Sequence, residues 1–164
     1  LEIKPYTESP QTVAELVDLI MFCQNTEAHL GIKMAEQADV FDIQRHYQQT
    51  GGNFWLAWDK GHVVGCIGLL RVDSQVGVLK KFFTYPPYRG QPHRLGQRLF
   101  TTFMAYAKAE TALTEIVLDT PAAETRSHYF YEKNGFQQIS RQALPVAYAF
   151  PDRQSLIYAQ GIVR

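Results

Sequence analysis

The run from Leu79 to Phe100, LKKFFTYPPYRGQPHRLGQRLF, leaves this chain few ways to fold. Its first part is apolar and suited to a strand, its middle holds Pro86, Pro87, Gly90 and Pro92, and its last part opens an amphipathic helix. A strand feeding a helix through such a loop sets unpaired backbone N–H groups and a positive dipole end at the strand tip. That junction suits an anion, and a phosphorylated ligand first of all. Gly90 and Gly96 allow close approach of the backbone to a ligand, and Arg89, Arg94 and Arg98 add positive charge. No Gly-Lys-Ser/Thr follows, so the loop is not a P-loop, and the absence of G-x-G-x-x-G excludes a dinucleotide fingerprint.

The flanking pattern supplies the rest of a sheet. Glu2–Pro5 reads as a short strand. Ser9 caps a helix with Pro10 at its first position and Val13, Leu16, Val17 and Ile20 on one face. A polar stretch over residues 24–33 precedes a second helix expected over 39–48, stopped by Gly51-Gly52. Strands over 54–58, 62–70 and 75–84 form an antiparallel meander, followed by a helix over 95–109, a buried strand over 116–118 and a helix over 123–134. Asn134-Gly135 stops that helix, and two final strands lie at 136–139 and 156–159. The order predicts an α/β (α+β) domain with helices on both faces of a central sheet.

Composition narrows the function. A length of 164 residues fits one domain, and 46% hydrophobic against 20% charged residues is globular. Lys+Arg and Asp+Glu balance at 16 each, which argues against a general nucleic-acid or membrane-surface binder. No apolar run approaches a membrane span and no signal-peptide pattern opens the chain. Cys23 and Cys66 are too few for a disulfide framework, lack metal-ligand spacing and read as buried thiols, pointing to a cytoplasmic protein without a metal.

A second segment, His128–Tyr129–Phe130–Tyr131–Glu132–Lys133–Asn134–Gly135–Phe136, places Tyr131 just before a helix stop. Together the two segments resemble the GNAT superfamily of acetyl-CoA-dependent N-acetyltransferases. There a strand ending in L-x-x-hydrophobic-x-V-x-P-x-Y-R-G precedes a Q/R-x-x-G-x-G/A pyrophosphate loop, and a later helix ends in L-Y-E-K-x-G-F. Leu79, Thr84, Pro86, Tyr88, Arg89 and Gly90 follow the first pattern, and the residues from Tyr131 to Phe136 follow the last. The loop departs from the family form: Arg94 stands where the central glycine is expected, and the run from Thr84 to Gly96 is two residues longer than the commonest form.

The resemblance implies a three-layer domain spanning residues 1–164, with a mixed, mostly antiparallel sheet of six to seven strands. It implies acetyl-CoA as co-substrate, held by Phe82, Phe83, Thr84, Arg89, Gly90, Gln91, Pro92, His93, Arg94, Leu95, Gly96, Gln97 and Tyr131, with Arg94 leaning outward as a fork for phosphate. It implies Tyr131 as general acid to the CoA thiolate and the Phe83 amide as oxyanion donor. The acceptor is a small-molecule or peptide amine, contacted by residues 24–33 and by the aromatic stretch 141–154 with Leu144, Pro145, Tyr148 and Phe150. Glu27, Asp119, Glu124, His128 or a water relay stand open as the base, though Asp119 reads first as a turn or helix cap. His29 borders the acceptor segment, and His93 lies in the cofactor loop. A non-catalytic acyl-CoA-binding module, or an interaction domain with no CoA site, are the alternative readings. The apolar tail 156–163 would suit a homodimer through the terminal strands.

Overall fold

The computed structural model describes residues 1–150 and 154–164. Seven strands form one sheet in the order β1-β2-β3-β4-β5-β7-β6: β1 Glu2–Pro5, β2 Asn53–Asp59, β3 His62–Arg71, β4 Val76–Thr84, β5 Glu115–Pro121, β6 Gln137–Ile139 and β7 Ser155–Gly161. Every neighbouring pair is antiparallel except β4–β5. The parallel step needs a crossover, which the helix α2, Leu95–Glu110, provides.

The strands direct their side chains to both faces of the sheet. Trp55 and Ala57 of β2, with Ile67 and Leu69 of β3, pack on Leu95, Leu99, Phe103 and Ala107 of α2 and on Tyr131 of α3, Thr125–Lys133. Phe54, Leu56, Val63 and Cys66 face the other way, onto Leu16, Leu19 and Ile20 of α1, Pro10–Met21, and onto Ile43 and Tyr47. The three layers expected from the sequence are therefore present.

Two local expectations change. The apolar face of α1 is built from Thr12, Leu16, Leu19 and Ile20, with Val13 and Val17 at its margin; the Ser9 hydroxyl accepts from the Thr12 amide at 3.1 Å, as a cap does. Residues 39–48 do not form one helix. A 3₁₀ turn, Ala38–Phe41, and a π-helical turn, Gln44–Gln48, replace it. The break lets Tyr47 bury its ring against Phe54 while its hydroxyl donates to Asp39 Oδ2 at 2.6 Å. Α1 itself runs on through a π-helical turn, Phe22–Glu27, which carries Gln24 and Glu27 over the end of β4. Both cysteines are free and buried; Cys23 lies against the Thr84 carbonyl, and burial pushes its thiol up to about 11.

Candidate active site

β4 and β5 pair only where Val76–Gly77–Val78 meets Glu115–Ile116–Val117. Beyond that point β4 stays with β3 as far as Thr84, and β5 stays with β7 as far as Pro121. The two strands part, and a cleft of about 650 Å³ opens between them, reaching from Gly96 and Tyr131 on one side to Gln37 and Tyr148 on the other.

On the first side the N-terminus of α2 carries no side-chain cap, so its leading amides are free to meet an anion. Arg94 takes the N-cap position in the left-handed region (φ 46°) and lines the cleft. Gly90, also left-handed at φ 63°, and Gly96 line it too. A Cβ on Gly96 would meet nothing nearer than Phe82 at 3.8 Å, so packing does not demand glycine there; open backbone facing the cleft is its evident effect.

The remaining loop residues take other places. Gln91, Pro92 and His93 are exposed on the outer side of the loop, where the His93 ring lies 5.2 Å from that of Tyr88. Leu95 is fully buried in the core. Gln97 lines the cleft but gives its amide to Asn134 Oδ1 at 2.9 Å, tying α2 to the end of α3. Arg89 pairs in a two-pronged contact with Glu27 (2.7 Å each) and donates to the Thr84 carbonyl at 2.6 Å. Its guanidinium thus braces α1 against the tip of β4.

Tyr131 sits in the last part of α3, 8% exposed, among Phe82, Phe130, Phe136 and Tyr158. It lines the cleft. Burial, with Asp119 nearby, holds the phenol well above its ordinary pKa, so it stays protonated.

The backbone of β4 corrects one expectation. Tyr85 donates its amide to the Val64 carbonyl at 3.1 Å, and Phe83 lies opposite Cys66. Antiparallel alternation therefore turns the Phe83 amide toward β3, where it also meets the Cys66 sulfur. The oxyanion donor expected at Phe83 faces the sheet. The parity of a strand is legible in sequence, but its phase is not.

Among the candidate bases, Glu27 is held in its ion pair with Arg89, and that hydrogen bond depresses its pKa. His128 places Nε2 2.9 Å from the Pro121 carbonyl and stacks on Tyr158. Glu124 lines the cleft from the N-cap position of α3. Asp119 is not a cap: it lies inside β5 opposite Ile157, faces the cleft and bonds Ser155, and burial raises its pKa.

The second side holds groups that sequence reasoning passed over. Lys81 donates to Gln37 Oε1 at 2.7 Å, with Asp39 at 4.0 Å, and Gln37 exchanges two hydrogen bonds with Gln24. Lys80 donates to the Tyr148 hydroxyl at 3.0 Å. A signal existed: two consecutive lysines in an otherwise apolar strand demand that one be accommodated indoors. Of the stretch 141–154, Tyr148 and Phe150 wall this side, while residues 151–153 lie outside the described residues.

A three-layer α/β domain, with its sheet parted over a free helix N-terminus, is the class of protein that fold and cleft define. The chain belongs to the acetyltransferase (GNAT) family, whose model matches residues 15–136. It is 57% identical to an acetyltransferase from Streptococcus agalactiae 2603, whose crystal structure superposes with a TM-score of 0.95 over 98% of this chain and 97% of that one. A GNAT-family acetyltransferase from Staphylococcus aureus Mu50 is 29% identical, with a TM-score of 0.89 over 99% and 100% of the two chains. Human N-acetyltransferase 8 is 26% identical over 114 residues, 67% of this chain and 50% of the relative. The chain spans about half the length of the curated relatives it matches. Among the described residues no helix is long and apolar enough to cross a membrane, and no group of three or more His, Cys, Asp or Glu could hold a metal ion.

Proposed function

We propose that this protein moves the acetyl group of acetyl-CoA to a primary amine by direct attack within a ternary complex. The observation that carries this reading is Tyr131: its ring is buried in the core, its phenol stays protonated and it lines the gap between β4 and β5. Acetyl-CoA, when bound, supplies the activated thioester. The free amides at the start of α2, Gly96 and Arg94 hold its phosphates, and its arm lies along β4. The amides of Phe82 and Thr84, which alternate with that of Phe83, face the carbonyl oxygen as charge gathers on it. Tyr131 donates its proton to the departing sulfur.

Asp119 takes the proton of the attacking amine. A carboxyl with a raised pKa is a stronger base than an ordinary one, and burial raises that of Asp119. Asp119→Asn is expected to lower kcat/KM about 100-fold and to remove the acid limb of its pH profile. Stability moves the other way. A raised folded-state pKa means that the protonated form stabilises the fold at low pH and that this contribution is lost as pH rises through the folded value. The variant should therefore match or exceed the parent's Tm at pH 8, and the parent should gain on it as pH falls toward the ordinary carboxyl range at about 4, in thermal melts across acid pH.

The direct test is isothermal titration with acetyl-CoA, free CoA and 3′-dephospho-CoA, followed by a CoA-release screen across amines. Micromolar binding with amine-dependent release supports the reading. No binding up to millimolar concentration removes it.

A further inference from the structure

Neighbouring residues of a strand point to opposite faces, yet Lys80 and Lys81 point to the same one. Between Cys66 and Gly68, β3 advances past Ile67 alone while β4 advances past both Lys81 and Phe82. Lys81 takes the left-handed region (φ 53°) to absorb the extra residue. This bulge delivers two ammonium groups to the acceptor side of the cleft.

Their surroundings differ. Lys81 is matched by Gln37 and Asp39. Lys80 meets the hydroxyl of Tyr148 at 3.0 Å and lies 5.7 Å from its ring centroid. Among the described residues no carboxylate lies within 4 Å of it. An ammonium has three donors, so two remain. The Tyr148 oxygen, accepting from Lys80, keeps its own proton to give. Both residues line the cleft, and the half-buried Lys80 has no ion-pair partner within 4 Å among the described residues.

We propose that Lys80 and Tyr148 hold a carboxylate of the acceptor, so that the substrate is an amine that also bears a carboxylate. This rests on the acetyltransferase reading above. The ammonium and the phenol give an oxyanion pair two convergent donors, one of them charged. Asp119, whose carboxyl senses the charge of Lys80, supplies the opposite sign for the amine. Lys80 precedes Phe82 by two residues, across the bulge at Lys81, so the two stay close along the backbone. An amino acid, with few bonds between its nitrogen and its carboxylate, fits that interval.

The test compares matched pairs on the full chain: L-phenylalanine with 2-phenylethylamine, L-methionine with 3-(methylthio)propylamine, and L-lysine with 1,5-diaminopentane. Each is followed by CoA release and by calorimetric binding to CoA-saturated protein. In at least one pair the carboxylated member should lead by about 10-fold or more in kcat/KM and in affinity. Lys80→Met should raise its KM about 10-fold or more with kcat nearly unchanged, Lys80→Arg should restore part of that loss, and Tyr148→Phe should give a smaller rise. Acetyl-CoA binding by all variants verifies that they are folded. Equal treatment of both members of every pair, or a preference untouched by Lys80→Met, overturns the proposal while leaving the acetyltransferase reading intact. Absence of acetyl-CoA binding in the parent overturns both.

Discussion

Tyr131→Phe is expected to lower kcat by about 100- to 10,000-fold while the dissociation constant for acetyl-CoA stays within about two-fold. The hydroxyl lies in the cleft and the ring in the core, so phenylalanine keeps the packing against Phe130, Phe136 and Tyr158 and removes only the hydroxyl. The raised pKa of the phenol does not disqualify it as a donor. The same exclusion of water that disfavours the phenolate also disfavours a CoA thiolate, so both partners become stronger bases and the transfer stays close to balanced. Calorimetry and steady-state kinetics on the same preparation check the result. An unchanged kcat would move the proton to another donor, and a large loss of CoA affinity would make Tyr131 a packing residue.

The second large effect is structural. A Cβ placed on Gly52 would lie 1.9 Å from the Leu69 carbonyl oxygen and 3.1 Å from that of Tyr47. Both are backbone atoms and neither can swing aside as a side chain does. Gly52 also gives its amide to the Tyr47 carbonyl and accepts from the Tyr106 hydroxyl, so the turn that feeds β2 is held from both sides. Gly52→Ala is expected to cost about 4 kcal/mol or more, a large share of the ordinary stability of a domain this size, and to lower Tm by about 10 °C or more. Gly96→Ala is the matched control. Its added methyl meets only ordinary van der Waals contacts, so Tm should stay within about 2 °C while acetyl-CoA binding weakens by about 10-fold as the backbone is held off its ligand. Thermal melts of the two variants side by side separate a glycine needed by the fold from one needed by the site.

These contrasts show what a sequence exposes and what it hides. The strands and their sequence along the chain were legible because compact apolar runs are bounded by Gly, Pro and Asn. Tyr131 and the loop at the head of α2 were legible because two ordered motifs bracket them. The segment over 39–48 was not, since its apolar spacing suits a helix while the burial of Tyr47 against Phe54 draws it into two short turns. Arg89 offered charge in a phosphate loop, and nothing local told that Glu27, distant in sequence, would claim it. Asp119 resembled a cap because the strand around it was read as ending at Leu118; with β5 running to Pro121 it becomes a wall of the cleft. For Arg89 and Asp119 the deciding partner came from a distant stretch of chain.

The extra residue at Lys81 has a consequence for heredity as well as for chemistry. Up to Lys80 the strand is read in one frame and from Phe82 onward in the other, like a text with one letter inserted. The cofactor side and the acceptor side of β4 are thereby spelled independently. Deleting a single residue at the insertion would transpose every side chain on one flank to the opposite face, and no point substitution can do that. A saturation scan of β4 should accordingly show tolerance to polar residues oscillating with period two on each flank and slipping by half a period at Lys81. If the acetyltransferase reading above holds, diversification of acceptors in such a scaffold can proceed by rewriting one flank while the other stays in phase.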